Sequence, residues 1–96
     1  MQLEIITPEA KILQAEVDAV QMPGKDGLFQ VLDNHAPTIS TLAEGRIKID
    51  LKDSYKKFDD LSGKIEPDKT NDRILYFPIT GGVVEVQNNK MILLAD

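Results

Sequence analysis

The residue types that carry most enzyme chemistry are scarce in this sequence. Its 96 residues contain no cysteine and a single histidine, His35. Thiolate nucleophiles, iron–sulfur clusters and thiolate zinc sites are therefore excluded, and so are a di-histidine metal site and a proton relay between histidines. A lone histidine followed by Ala36-Pro37 is most often a turn or interface residue that makes a hydrogen bond. We interpret His35 in that way.

Acidic residues are numerous but are poorly placed for acid–base catalysis. Asp59-Asp60 and Glu66-Pro67-Asp68 lie in a polar, lysine-rich segment, where a solvated carboxylate does little acid–base work. Gly24 and Gly27 lack the lysine–hydroxyl pair and the following helix of a P-loop, and Gly81-Gly82 lacks the third glycine of a dinucleotide fingerprint. The sequence therefore predicts no catalytic residue, no metal, no cofactor and no bound nucleotide.

The charge and hydropathy of the chain exclude two further classes of partner. Sixteen acidic against eleven basic residues give a net charge of −5, which repels nucleic-acid phosphates and anionic lipid headgroups. The apolar runs are only a few residues long, whereas a membrane-spanning helix needs about 20. The start, Met1-Gln2-Leu3-Glu4, has neither the basic nor the apolar region of a signal peptide. We expect a soluble chain with no nucleic-acid partner and no direct membrane insertion.

Short strand signals separated by turn residues cover most of the sequence. Leu3–Thr7 reads as a strand stopped by Pro8, and from Glu16 the residues Val17, Ala19 and Gln21 alternate with Asp18, Val20 and Met22. The turn cluster Pro23–Gly27 follows. Further strands are predicted at Leu28–Leu32, Thr38–Leu42, Arg46–Leu51, Ile74–Thr80, Val83–Gln87 and Lys90–Ala95. This pattern predicts one all-β domain over residues 1–96, an antiparallel sandwich or barrel.

Two details sharpen this fold prediction. Ile47, Ile49 and Leu51 alternate with charged neighbours, which is typical of a strand with one buried face. Asn88-Asn89 predicts a tight hairpin, because asparagine tolerates the left-handed backbone conformation.

The polar stretch from Lys52 to Arg73 is the exception. Tyr55, Phe58 and Leu61 recur at intervals of three and could share one face of a short helix capped by Asp53 or Ser54 and ended by Gly63. A loop or an extended hairpin fits the same residues. The sequence leaves these alternatives open.

Four ordered stretches resemble a known family. They are Leu3–Pro8, Glu16–Val20, Gly27 through His35-Ala36-Pro37, and Gly81–Val86, and the closing Leu93–Asp96 adds to them. Together they resemble the β-domain of the epsilon subunit of F-type ATP synthases, called delta in mitochondria. The resemblance implies a β-sandwich of two five-stranded sheets in a non-catalytic subunit of the central stalk. It also implies a place on the cytoplasmic face of the bacterial inner membrane, in a proton-translocating rotary motor.

The resemblance implies two partners and a set of contact residues for each. Facing the ring of c subunits would be Lys25, Asp26, Gly27, Leu28 and His35. Facing the gamma subunit would be Thr7, Ser40, Thr41 and Leu42. Relatives often carry an acidic residue where Leu28 stands and Pro-Gly where Asp33-Asn34 stands, so electrostatic anchoring to the ring is expected to be weaker here or to be replaced by apolar contact.

Two larger departures concern the length of the chain. Residues 52–73 exceed the usual family connection and are interpreted as an insertion. Relatives commonly continue past the position of Asp96 into a helical hairpin that inhibits ATP hydrolysis and in some cases binds ATP. We expect both activities to be missing from this chain.

The leading hypothesis is a non-enzymatic subunit that couples gamma to the c ring during ATP synthesis. The alternative is an unrelated β-sandwich module for a carbohydrate or a peptide. The absence of tryptophan and the presence of only two tyrosines and three phenylalanines argue against a sugar-stacking platform. A small enzyme is disfavoured because few residues of the chain could act as a nucleophile or a general base.

Overall fold

The computed structural model describes all 96 residues and confirms an all-β fold of nine strands and no α-helix. The strands are β1 Gln2–Ile6, β2 Lys11–Gly24, β3 Gly27–Leu32, β4 Thr38–Leu42, β5 Gly45–Leu51, β6 Glu66–Pro67, β7 Ile74–Ile79, β8 Gly82–Gln87 and β9 Lys90–Ala95. The alternation over β5 places Ile47, Ile49 and Leu51 in the core, as predicted.

Two sheets share the long strand β2. Sheet I has the order β4-β8-β9-β1-β2, and sheet II has the order β3-β2-β5-β7-β6. The first part of this 14-residue strand pairs with β1, and its second part pairs with β3 and β5. Counting β2 in both sheets, each sheet has five strands, which confirms the predicted sandwich.

One strand pair departs from the predicted antiparallel arrangement. Strands β1 and β9 are parallel, with Leu3 opposite Met91 and Ile5 opposite Leu93. The two strands are the first and last of the chain, so no tight hairpin joins them and forces an antiparallel pairing. Sheet I is therefore mixed.

A bulge at Asp18 interrupts the alternation of β2. Val17 lies opposite Leu51 and Ala19 lies opposite Asp50, so Asp18 has no partner across the ladder. The extra residue reverses the inward and outward faces: Val17 is buried before it, and Val20 and Met22 are buried after it. The predicted grouping of Val17, Ala19 and Gln21 on one face was therefore wrong.

A single cluster of 22 buried residues fills the space between the sheets. Leu3, Ile5 and Leu93 contribute from sheet I, and Ile47 and Ile49 contribute from sheet II. No buried side-chain nitrogen or oxygen lacks a hydrogen-bond partner. All 22 side chains of this cluster are apolar.

The segment 52–73 is a loop that packs on the core, with one 3-10 turn at Tyr55–Lys57. Ser54 caps this turn, as one of the two predicted caps, by accepting a hydrogen bond from the backbone nitrogen of Lys56. Phe58 is already extended, so the turn does not grow into the helix that the spacing allowed. Tyr55, Phe58 and Leu61 still pack partly buried against the core. Whether this segment is an insertion in its family stays a prediction.

The bulged residue Asp18 joins both ends of this loop to β2. Its two carboxylate oxygens accept from Lys52 Nζ at 3.0 Å and from Arg73 Nη2 at 3.1 Å. Arg73 Nε also donates to the carbonyl of Leu51 at 3.2 Å. The two ends of the loop are therefore both hydrogen-bonded to the same carboxylate.

The last hairpin follows the sequence prediction closely. Asn88 and Asn89 have φ values of 55° and 58°, the left-handed conformation expected for a two-residue turn. At the other end of β8, a Cβ atom on Gly82 would collide with the backbone carbonyl of Leu94 on β9. Close backbone packing explains the glycine at this position.

Candidate interaction surfaces

The tip of the β2–β3 hairpin carries four of the residues predicted to face the c ring. Gly24 pairs with Gly27 across a turn made by Lys25 and Asp26. Gly27 has a φ of 122°, which a residue with a side chain rarely adopts. Lys25, Asp26 and Leu28 are exposed, and Leu28 has 67% of its surface open to solvent. The hairpin tip is thus a protruding surface with two charges and one apolar side chain.

His35 lies at the opposite end of β3 from this tip. The strand runs from Gly27 to Leu32, so the two places are separated by about 17 Å at 3.3 Å per residue. His35 is exposed, its backbone nitrogen donates to the carbonyl of Leu32 at 3.1 Å, and its Nδ1 is 2.8 Å from the carbonyl oxygen of Ala36. The structure does not bring His35 together with the hairpin tip.

The outward face of β3 connects these two places. Leu28, Gln30 and Leu32 share this face because side chains alternate along a strand, and all three are exposed. Two leucines spaced four residues apart on an edge strand form an apolar row, which we call the β3 row. Leu28 was predicted from the sequence as a contact residue, whereas Leu32 was not.

Thr7 and Leu42, both predicted to face gamma, come together at one end of the sandwich. They line an open depression of ≈ 700 Å³ with Pro8, Val83, Leu94 and Asp96 among its other walls. Both side chains are largely buried, and the Thr7 hydroxyl donates to the carbonyl of Ala10 at 3.3 Å. A partner would therefore meet the rim of the depression rather than these two side chains.

Ser40, Thr41 and Leu42 do not share one face. They are consecutive in β4, so Thr41 points outward while Ser40 and the buried Leu42 point toward the other sheet. Only Thr41 of these three belongs to the outer face of sheet I.

That outer face carries an apolar surface that the sequence analysis missed. Val83 lies opposite Leu94, and Leu94 lies opposite Ile6 on the next strand. Ile39 and Ile92 lie in the neighbouring row on the same face, two residues along their strands, with Glu85 between them. Ile39 is 73% exposed and Leu94 is 49% exposed. We call the five side chains Ile6, Ile39, Val83, Ile92 and Leu94 the outer stripe.

A signal for the outer stripe was present in the sequence. The run Met91-Ile92-Leu93-Leu94 is apolar at every position, whereas a strand with one solvated face alternates. Met91 and Leu93 are buried in the core, so Ile92 and Leu94 are the pair left for the opposite face. A contiguous exposed apolar patch of this kind marks an interaction site.

Charged side chains lie within and beside the stripe. Glu4 lies opposite Ile92 on β1, and Lys11 Nζ is 2.8 Å from its carboxylate. This hydrogen-bonded ion pair lowers the pKa of Glu4 below its usual value, against a smaller opposing effect of burial. Glu85 lies opposite both Ile39 and Ile92. The surface therefore consists of one apolar row, Val83, Leu94 and Ile6, beside a second row in which Ile39 and Ile92 alternate with Glu85 and Glu4.

The side chains contain no group of three or more histidine or acidic residues placed to hold a metal ion. No helix of the protein has the length and apolar character needed to cross a bilayer.

An all-β sandwich with an exposed apolar stripe on one outer face has the architecture of a protein-binding module. A family model described as the β-sandwich domain of the ATP synthase delta/epsilon chain matches residues 1–63. The chain belongs to this family.

Curated relatives extend the match to nearly the whole chain. The ATP synthase epsilon chain of Chlorobium limicola is 36% identical over 94 residues, which is 98% of this chain and 86% of the relative. The epsilon chain of Maridesulfovibrio salexigens is 35% identical over 94 residues, 98% of this chain but only 53% of the relative. The chain therefore spans most of one relative and about half of the other.

Solved structures agree on the fold. A chain of the central stalk and c ring of the Tetrahymena thermophila mitochondrial ATP synthase matches with a TM-score of 0.73 at 17% identity, over 99% of this chain and 62% of that one. A chain of the Euglena gracilis mitochondrial ATP synthase matches with a TM-score of 0.70 at 20% identity, over 97% of this chain and 48% of that one.

Proposed function

We propose that this chain is a non-catalytic central-stalk subunit of a bacterial rotary ATP synthase, which fastens the gamma subunit to the c ring on the cytoplasmic face of the membrane. The observation that carries the proposal is the 36% identity to an epsilon chain over 98% of this chain. The alternative, an unrelated β-sandwich module for a sugar or a peptide, is disfavoured by the same match.

The outer stripe is the surface proposed for gamma. It is contiguous with the depression lined by Thr7 and Leu42, because Ile6, Val83 and Leu94 belong to both. Thr41 lies beside Val83 on the same face. Of the residues first assigned to gamma, Thr41 therefore borders this stripe, Thr7 and Leu42 line the adjoining depression, and Ser40 belongs to neither. The exposed isoleucine, valine and leucine side chains supply the apolar area that a stable contact needs.

The c-ring surface is proposed to be the hairpin tip together with the β3 row. His35 and the tip can touch the same ring only if β3 lies along it, since about 17 Å separates them. Leu28 and Leu32 then supply apolar contact between these ends. Lys25 and Asp26 add one charge of each sign at the tip.

Reconstitution tests the coupling role directly. Proteoliposomes that hold the synthase with this chain should make ATP from an imposed proton gradient, and proteoliposomes lacking it should leak protons with little synthesis. Equal synthesis without the chain would overturn the proposal.

Single-cysteine cross-linking tests the c-ring surface. The chain has no native cysteine, so Leu28→Cys, Leu32→Cys and His35→Cys each carry one thiol. All three should form disulfides with a cysteine placed in the c-subunit loop, and Asp60→Cys in the central loop is the matched control. Cross-linking of Asp60→Cys alone would reject the proposed orientation.

A further inference from the structure

Glu85 lies between two isoleucines on the outer face of sheet I. It is opposite Ile39 on β4 and opposite Ile92 on β9. Side chains that are directly opposite on neighbouring antiparallel strands have Cβ atoms about 5 Å apart. Val83, two residues earlier in β8, points to the same face and is 40% exposed. Apolar side chains of the outer stripe therefore surround this carboxylate on three sides.

Glu85 is the carboxylate of this row that has no counter-charge. Glu4, the other acidic residue of the row, has a side chain that is 16% exposed and pairs with Lys11 Nζ at 2.8 Å. Glu85 is exposed and takes part in none of the ion pairs of the protein. Lys90 lines the same shallow pocket as Glu85 but does not come within ion-pair distance of it. Glu85 is therefore a solvated charge inside an apolar surface.

A partner that covers the outer stripe must also cover Glu85. Ile39 and Ile92 lie two strands apart, about 10 Å at 4.8 Å per strand, and Glu85 is on the strand between them. Contact with both isoleucines therefore removes water from the carboxylate. An ionised carboxylate that loses its water without gaining a counter-charge is strongly destabilised. An entirely apolar partner surface would thus oppose the association that the two isoleucines favour.

We infer that the gamma surface which covers the outer stripe carries one arginine or lysine side chain that pairs with Glu85. The inference rests on the proposed function and adds the chemistry of the partner, which is an apolar surface around a single cation. A long basic side chain packs its apolar stem against Ile39 or Ile92 and places its charged end on the carboxylate. Glu85 then determines the register of the contact, because a shifted partner would bury this carboxylate unpaired.

Neutralising Glu85 distinguishes this arrangement from a purely apolar contact. Glu85→Gln keeps the size and polarity of the side chain and removes its charge. With a cation on gamma, calorimetry should show binding of purified gamma weakened on the order of tenfold, since the variant leaves that cation buried and unpaired. Without such a cation, the same change removes a desolvation cost, so binding would be unchanged or tighter. Unchanged or tighter binding would overturn the inference.

Glu4→Gln is the matched control. It changes the net charge by the same amount, on the same face and in the same row, but its carboxylate already pairs with Lys11. Its affinity for gamma should stay within about twofold of that of the unmodified chain. An equal loss in both variants would indicate an effect of overall charge and would overturn the inference. Because Glu85 is exposed, urea denaturation should show the same stability for Glu85→Gln and the unmodified chain.

A double-mutant cycle identifies the cation on gamma. Each arginine and lysine of gamma is changed singly to glutamine, and every gamma variant is titrated with the unmodified chain and with Glu85→Gln. One gamma variant should lose affinity for the unmodified chain on the order of tenfold and show no further loss with Glu85→Gln, because both changes break the same pair. Additive losses for every gamma variant would overturn the inference.

The same titrations separate this inference from the function on which it rests. Failure of the unmodified chain to bind gamma would overturn both. Tight binding that Glu85→Gln does not weaken would overturn the inference alone and leave the proposed function in place.

Discussion

Arg73 donates to Asp18 Oδ2 at 3.1 Å, and this contact joins the end of the central loop to the bulge in β2. Lys52, at the start of the loop, donates to the other oxygen of the same carboxylate. Partly exposed ion pairs are individually weak, but here two of them close one loop.

Replacing Asp18 should therefore increase local opening of the central loop more than it lowers the stability of the whole protein. In Asp18→Ala we expect hydrogen exchange at Tyr55 and Ile74 to rise several-fold, with a fall in melting temperature of only a few degrees. Asp26→Ala, which removes an exposed carboxylate from the hairpin tip, is the control. Equal exchange in both variants would show that the shared carboxylate does not hold the loop.

Gly82 should be among the least replaceable residues of the chain. A Cβ atom there would collide with the backbone of Leu94, so Gly82→Ala must move β8 away from β9. We expect a loss of about 2–4 kcal/mol in the free energy of unfolding, measured by urea denaturation. Gly63→Ala meets open space and should change stability by less than about 0.5 kcal/mol. Similar losses in both variants would contradict the close packing described here.

The outer stripe should matter for binding and not for folding. Ile39→Ser and Leu94→Ser alter exposed side chains, so the free energy of unfolding should change by less than about 0.5 kcal/mol. Binding to purified gamma, measured by calorimetry, should weaken by about 1–2 kcal/mol for each, or roughly 5- to 30-fold. Gln30→Ser, on the outer face of sheet II, should bind gamma normally. Full affinity in both stripe variants would remove this surface from the proposal.

Acid should destabilise the central loop through Asp68. Hydrogen bonds from the backbone and hydroxyl of Thr70, and then from Asn71, lower the pKa of Asp68 below its ordinary value of 3.8. The unfolded chain then binds more protons than the folded one, so the contribution is complete above about pH 5 and is lost as pH falls through the lower folded-state pKa.

The variant Asp68→Asn isolates this effect. Its amide oxygen can still accept from Thr70 and Asn71 but does not titrate. Urea denaturation between about pH 6 and pH 2 should show a shallower loss of stability in Asp68→Asn than in the unmodified chain. Asp26→Asn should follow the unmodified chain, and an identical acid profile for Asp68→Asn would reject the role of Asp68.

The strands that local pattern predicted well are those with a clear turn signal beside them. Arg46–Leu51 and Lys90–Ala95 were placed within a residue of β5 and β9, because Glu44-Gly45 and Asn88-Asn89 precede them. Asn88 and Asn89 likewise predicted their own left-handed backbone. These features depend on neighbours in sequence, so the sequence alone determines them.

Features that depend on distant neighbours were missed. The bulge at Asp18 looks like ordinary alternation until the register with Leu51 is known, and the parallel pairing of β1 with β9 joins the two ends of the chain. Tyr55, Phe58 and Leu61 have helical spacing, but each packs on the core from a loop. The outer stripe was missed because its five residues come from four strands, and only the sheet order makes them neighbours.

The shared strand β2 has a mechanical consequence. Its Gly24 end reaches the hairpin tip, and its Lys11 end lies opposite Ile6 beside the depression. One uninterrupted run of peptide bonds thus links the two surfaces proposed for the ring and the shaft. A twist entering at the tip would be carried by a continuous backbone that is paired on both edges from Ala19 to Gln21 and on one edge toward Lys11.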